Sequence, residues 1–262
     1  MILHFDQEVP VEVAGCKAHN LACMWRAGLP VPAGFCVSWD ETEAMAMAEL
    51  SMALARLRTT SYAVRSSAIQ EDSSCASFAG MLTSRLNIGS AEDVLAALRE
   101  IHDSAMAPSA EGYSRRLKVP SCVRIAGVVQ EFLPAEAAGV LFMRDPQVAG
   151  DHFVLEACWG LGVGVVEGVV RPDRWLVSAG GDVISSLIAD KDVAVIASGR
   201  TGTTQITVDP GCRRRPCLTN ESIRELAGLA AECQRLFGGP QDIEWALWQG
   251  CVWLLQSRPI TV

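Results

Sequence analysis

Asp242-Ile243-Glu244-Trp245-Ala246-Leu247-Trp248-Gln249-Gly250-Cys251-Val252-Trp253-Leu254-Leu255-Gln256-Ser257-Arg258-Pro259 reads as two strands around a glycine-containing turn. Asp242, Glu244, Gln256 and Arg258 interrupt its apolar run. A two-residue loop pairs Trp248 with Cys251 and so Glu244 with Leu255, which puts Glu244 and Gln256 on opposite faces. A three-residue loop of Trp248, Gln249 and a left-handed Gly250 pairs Glu244 with Leu254 and sets Glu244 and Gln256 diagonally on one face. The three-residue loop is the expected one if the polar residues form a site. Two hard oxygen donors within reach of each other suit Mg2+ bridging phosphate oxygens, and Arg258 on the same face suits the phosphates themselves. An exposed edge hairpin carrying ordinary polar residues is the alternative.

Other segments carry complementary chemistry. Tyr62 to Arg65 reads as a short strand, with Arg65 at its end followed by Ser66 and Ser67 in a polar stretch that runs to Ser77. The guanidinium can fork onto phosphate oxygens while the serines or their amides add donors; a salt bridge to Glu71 or Asp72 is the plainer reading. Lys17, in a loop opened by Gly15, is a phosphate ligand or a surface lysine in the first turn of a helix. Gly160-Leu161-Gly162-Val163-Gly164 departs from the GxxxxGKS pattern and reads as amides offered to phosphate or as a flexible hairpin. Val128 to Leu133 is a buried strand broken by Gln130 and Glu131, able to present backbone groups to an adenine edge or to form a sheet edge.

The remaining chain frames these segments. Its 262 residues are half hydrophobic and 20% charged, with 22 Gly and 12 Pro, which excludes a disordered or collagenous protein. Mean hydropathy is +0.22, yet no run of 18 apolar residues occurs, so no membrane span is expected. A net charge of −8 argues against nucleic acid as a partner. The small apolar residues and Met leave room for a subunit interface, so a homo-oligomer is an expectation. Ten Cys without CxxC spacing or a signal peptide read as reduced thiols in a cytoplasmic protein. The four His form no ligand cluster. Expected helices follow Gly15 to a stop at Gly28, Asp40 with Glu43 as a capping box, Ser90 as a cap, and Asn220 as a cap with a stop at Gly238. Strands are expected at about Val123 to Phe132, Gly139 to Met143, Phe153 to Ala157 and Trp175 to Val177. Arg213 to Arg215 read as a solvated loop.

Taken in order, the motifs resemble the nucleotide-binding domain of the phosphoenolpyruvate synthase and pyruvate phosphate dikinase family, also found in rifampin phosphotransferases. The family opening GGK-xxNL-xxM-xxxG-xxVPxGF is matched by Gly15 to Phe35, and VRSSAxxED-xxxxSFAG by Val64 to Gly80. VQxxV and GVxFTxDP are matched by Val129 to Leu133 and Gly139 to Pro146, GLGExVVxGxVxPD by Gly160 to Asp173, and PxDIEWA with LQxRP by Pro240 to Ala246 and Leu255 to Pro259. The resemblance implies an α+β or α/β two-lobed ATP-grasp fold enclosing ATP and Mg2+, with lobes at about 1–118 and 119–262 of one ATP-binding unit. It implies phosphate contacts and catalytic roles for Lys17, Arg65 and Arg258, and an adenine strand at Gln130, Glu131, Phe132 and Leu133. Glu244 and Gln256 would be the Mg2+ ligands.

The resemblance further implies a kinase or dikinase-type phosphotransferase passing a phosphoryl group to a separate phosphohistidine domain protein or to a small molecule. An inactive ATP-binding sensor or scaffold is the alternative. The chain stops where this domain ends in relatives, so the histidine carrier and the pyruvate barrel are expected elsewhere, and His19 is the one internal acceptor worth weighing. Three departures stand out: Cys16 for the second glycine of GGK, Met143 for the threonine of FTxDP, and Val163 for the glutamate of GLGE. The last two are expected to remove polar groups near the phosphates. The stretch from Phe35 to Tyr62 is also shorter than the family's.

Overall fold

The computed structural model describes residues 1–40, 45–68, 84–106, 124–144 and 152–260. Two antiparallel sheets organise them. The first has the order β1-β2-β5-β3-β4, built from β1 (Ile2–His4), β2 (Gly34–Val37), β3 (Tyr62–Ala68), β4 (Ser84–Ile88) and β5 (Ile125–Glu131). The second has six strands in the order β13-β12-β6-β7-β8-β9. They are β6 (Ala137–Phe142), β7 (His152–Trp159), β8 (Asp173–Ser178), β9 (Val183–Leu187), β12 (Gln241–Trp248) and β13 (Cys251–Pro259). A separate hairpin of β10 (Val193–Ala197) and β11 (Thr203–Thr207) stands between them.

Alternation gives each sheet two packed faces. On the first sheet, Phe35, Val37, Val64 and Val129 face α2 (Met47–Ala55) and α3 (Ala91–Met106). On its other face, Cys36, Ala126 and Val128 meet Ala18, Leu21 and Ala22 of α1 (Val11–Arg26). The second sheet sends Leu141, Leu155, Trp175, Ile243, Trp245 and Leu254 into the same core. There they join Ile223, Leu226 and Ala230 of α5 (Asn220–Phe237). Helix α1 is therefore shared by both sheets, and Asn20 on it donates to the Ser257 carbonyl of β13 at 2.9 Å.

Several local expectations are corrected. The strand expected at Val123 to Phe132 falls beyond the expected 118/119 boundary, but β5 pairs with both β2 and β3 and is the middle of the first sheet. Strand β3 runs on to Ala68 rather than ending at Arg65. The helix expected at Asp40 begins at Met47 after Ala46, with no side-chain cap, and Glu43 lies outside the described residues. Helix α5 is capped by Thr219, one residue before Asn220, through the Ser222 amide, and stops at left-handed Gly238. Ser90 does cap α3, accepting from the Asp93 amide at 3.1 Å.

The described cysteines are free thiols. Burial pushes those of Cys36, Cys158 and Cys233 up to about 12, so they act as inert packing groups. Among the described residues, no helix is long and apolar enough to cross a membrane.

Candidate active site

A cleft of about 1160 Å³ lies between the two sheets. It is lined by Lys17, Arg65, Gln130, Glu131, Phe132, Leu133, Glu244, Gln256 and Arg258, so the structure brings these candidate residues to one cavity, whereas Ser66 and Ser67 do not line it. They come from α1, β3, β5 with the segment after it, and the β12–β13 hairpin.

The hairpin achieves its alignment by a different device from the one expected. Its loop has two residues, Gln249 and Gly250, both left-handed at φ 52° and 72°, and Trp248 pairs with Cys251. This is the turn that matches strand twist. Taken alone it would send Glu244 and Gln256 to opposite faces. A bulge intervenes: Trp245 pairs with Leu254 and Glu244 with Gln256, leaving Leu255 without an opposite residue. Glu244 and Gln256 therefore face each other directly, and Asp242 pairs with Arg258 two residues along on the same face. The same-face outcome stands, and the three-residue loop is wrong.

The bulge also aims a carbonyl. Arg65 donates to the Leu255 oxygen at 3.3 Å, and its Nη1 lies 3.7 Å from Glu244 Oε2. Arg65 thus bridges the sheets; its alternative partners Glu71 and Asp72 lie outside the described residues. The edge of β13 is tied further by the Leu254 amide donating to the Pro30 carbonyl at 2.7 Å.

Arg258 is held by Asp242, whose Oδ2 accepts from Nε at 2.7 Å and lies 2.6 Å from Nη2. Asp242 Oδ1 is buried with no protein partner. Burial raises the Asp242 carboxyl above its ordinary range against the pull of Arg258, and the charge of Glu244 adds to the rise. In the sequence Asp242 is a polar interruption with no assigned role. Its position opposite Arg258 makes it the residue that orients that guanidinium.

Lys17 reaches the cleft because of Gly15. Helix α1 breaks there at φ 77°, ψ 169°, and restarts with Lys17 in its first turn. A Cβ at Gly15 would lie 2.5 Å from the Ser67 carbonyl oxygen and 2.6 Å from its Oγ. Ser67 Oγ in turn accepts from the Ala18 amide at 3.1 Å, capping the restarted helix. The expectation that Ser66 and Ser67 serve phosphate is thus corrected: Ser67 supports the helix that carries Lys17. Ser66, between Val64 and Ala68, points to the α3 side and is buried.

Gln130 is buried, its amide nitrogen 3.5 Å from the Pro32 carbonyl. Phe132 and Leu133 supply apolar surface beside it, and Glu131 accepts from the Arg58 amide at 2.9 Å. The Gly160 to Gly164 segment holds a single turn, α4 (Val163–Val166), in place of a hairpin. Val163 lines the cleft, whereas Met143 is buried in the shared core. Of the two polar losses, only Val163 bears on the site.

Glu244 and Gln256 offer two adjacent oxygen donors beside the arginines. Among the described residues no group of three or more His, Cys, Asp or Glu is placed to cage a metal. That donor set fits Mg2+, which binds through one or two protein oxygens and completes its shell with phosphates and water.

The sheets, their shared helix and the cleft give a mixed α+β fold. The dinucleotide-forming acetyl-coenzyme A synthetase 1 of Ca. Korarchaeum cryptofilum overlays with a TM-score of 0.50 at 15% identity, covering 94% of this chain and 92% of that one. The chain belongs to the family of the pyruvate phosphate dikinase AMP/ATP-binding domain, whose profile matches residues 42–262.

Among curated relatives, the prodigiosin synthesizing transferase PigC of Serratia marcescens is 34% identical over 98% of this chain. A probable phosphoenolpyruvate synthase of Methanothermobacter thermautotrophicus is 41% identical over 76% of the chain. A rifampicin phosphotransferase of Streptomyces sviceus is 33% identical over 97% of it. The chain spans 32%, 29% and 35% of those proteins, respectively. The part it matches is that family's AMP/ATP-binding domain.

Proposed function

We propose that this chain is the ATP-binding component of a phosphotransferase, folded as two ATP-grasp lobes that hold ATP and Mg2+ between them and hand a phosphoryl group to an external acceptor. The observation that carries the reading is the meeting of Lys17, Arg65 and Arg258 with Glu244 and Gln256 in one cleft. Three cations facing two oxygen donors suit a polyphosphate with its metal. Adenine lies along Gln130, Glu131, Phe132 and Leu133. Glu244 and Gln256 hold Mg2+, which when bound neutralises charge on the phosphate oxygens. Lys17 fixes the phosphate chain from the helix start, and Arg65 reaches it from the opposite sheet. Arg258, its plane set by Asp242, presents its guanidinium to the transferred group, where negative charge spreads over the equatorial oxygens.

The acceptor comes from outside the described residues, as either a phosphohistidine protein or a small molecule. None of the four His lines the cleft. His19 is occupied elsewhere, with Nδ1 2.7 Å from the Val9 carbonyl and Nε2 3.5 Å from Cys23 Sγ. Titration of ATP with and without Mg2+ is expected to show a large affinity difference; equal weak binding in both refutes the reading. ATP labelled separately at the β and γ positions should label an added acceptor and leave the isolated chain unlabelled. Stable labelling of His19, lost in His19→Ala, overturns the external acceptor. Val163 on the cleft wall favours a second reading, an ATP-binding sensor without turnover. Binding without hydrolysis or transfer to any acceptor would select it.

A further inference from the structure

The β10–β11 hairpin crosses from one sheet to the other. Its base is fixed in the second half of the chain. Lys191, two residues before β10, is fully buried against the equally buried Asp173, and the Leu161 amide donates to the Val195 carbonyl at 2.8 Å. Its tip is held by the first sheet. A bulge in β4 sets Leu86 and Asn87 opposite a single residue of β3 and leaves Asn87 left-handed at φ 56°.

From there the Asn87 side-chain nitrogen donates to the carbonyls of Gly202 at 2.9 Å and Ser198 at 3.3 Å. The Gly202 amide donates to the Asn87 carbonyl at 2.9 Å. Ser61 Oγ donates to Asn87 Oδ1 at 2.8 Å, which fixes the amide's orientation. The close approach also relies on Gly89, where a Cβ would lie 2.8 Å from the Arg200 carbonyl oxygen. Between base and tip, Val195, Thr203, Thr204 and Gln205 line the cleft, while every residue of β11 is exposed.

We propose that this hairpin is a strap across the nucleotide cleft and that Asn87 is its latch: the tip releases to admit or discharge nucleotide, and the base stays anchored. The proposal rests on reading the cleft as the nucleotide site. The asymmetry of the attachments decides which end moves. The base is held by a dry ion pair and continuous chain, whereas the tip is held by the hydrogen bonds of Asn87 and by half-buried Ala197 and Leu86 packed around Ala63 and Val195, and elements with few buried contacts open most readily.

Asn87→Gly keeps the left-handed backbone and deletes the side-chain bonds. Weakening a latch that is closed in both free and bound protein speeds entry and exit alike. In stopped-flow measurements with a fluorescent ATP analogue and Mg2+, association and dissociation rates should both rise about ten-fold, the scale of one net hydrogen bond lost from an opening equilibrium, with affinity nearly constant. Amide exchange across 193–207 should accelerate while exchange in α5 stays unchanged. Ser61→Ala, which only frees the amide's orientation, should give a smaller change in the same direction, and it keeps the test available if Asn87→Gly fails to fold.

A loss of affinity with no faster exchange of nucleotide would overturn the proposal, showing that Asn87 merely shapes the wall. So would rates unchanged from wild type. If no variant, wild type included, binds nucleotide, the reading of the cleft fails and the gate with it. The amide exchange data would still show separately whether Asn87 holds the tip.

Discussion

Replacing Gly15 with Ala separates two costs that most glycine substitutions mix. At φ 77°, ψ 169° the residue occupies backbone space that is almost exclusive to glycine. Placing a side chain in such a region costs about 1–3 kcal/mol. The new methyl would also sit 2.5 Å from the Ser67 carbonyl oxygen, a backbone atom of a paired strand that cannot swing aside. Together these give a loss of about 3 kcal/mol or more, or roughly 6–12 °C in Tm for a chain of this size. Gly28→Ala is the control, because it shares a positive φ of 79° but has open space around the added carbon. It should cost only about 1–2 kcal/mol. Urea unfolding of both variants measures the difference. Because Lys17 follows the break by two residues, Gly15→Ala should also weaken ATP binding in whatever fraction stays folded, and Gly28→Ala should not. Equal stability losses in the two variants, with ATP affinity intact, would refute the claim that close packing on Ser67 sets the position of Lys17.

Arg258→Lys keeps a charge and loses the planar fork, so phosphoryl transfer should fall by about ten-fold or more while ATP affinity changes by less than about three-fold; equal losses would reduce Arg258 to an anchor. Asp242→Asn should stabilise the protein at neutral pH. The folded carboxyl is raised above its ordinary value of 3.8, so its contribution is present below that value and is lost as pH rises through the raised one. Thermal melts of the variant should therefore show a flatter acid-to-neutral profile, and transfer should weaken as Arg258 loses its ionic partner; a steeper profile would contradict the burial argument. Glu244→Ala and Gln256→Ala should each raise the Mg2+ concentration needed for half-maximal ATP binding, and an unchanged requirement would remove them from the metal site. Val163→Glu should raise turnover if the apolar residue on the cleft wall limits it, as read by ATP consumption with acceptor present.

The candidates that share the cleft were legible from residue type: Glu244, Gln256 and Arg258 interrupt an apolar run, Arg65 ends one, and Lys17 follows a glycine. The geometry was harder to read. A bulge at Leu255 leaves no mark on the sequence, since the extra residue is an ordinary leucine. Gln249 in a left-handed turn is a weaker signal than asparagine or aspartate would be. Strands β9 and β11 were missed because every residue in them is exposed, so neither carries the apolar alternation that announces a strand. The place of β5 was invisible for another reason. Its local sequence specifies a buried strand and says nothing about which neighbours it joins.

That placement of β5 bears on how the chain is made. Synthesis delivers β1 through β4 first, as two unconnected ribbons, β1 with β2 and β3 with β4. They have no shared ladder until residues 125–131 emerge and fill the gap between β2 and β3. A nascent chain stalled near residue 118 therefore exposes two open edges and the apolar faces of α1 and α2 at once, the state in which chaperones engage and neighbouring polysomes aggregate. Fragments cut at that point should be insoluble apart, while a cut after β5 should yield an N-terminal piece with its first sheet complete. Strand β13 closes the account of α1: the Leu254 amide finds the Pro30 carbonyl and Ser257 meets Asn20 only once residues 251–259 have emerged. The helix that positions Lys17 is thus synthesised ahead of both sheets' later strands and secured only once β13 has emerged.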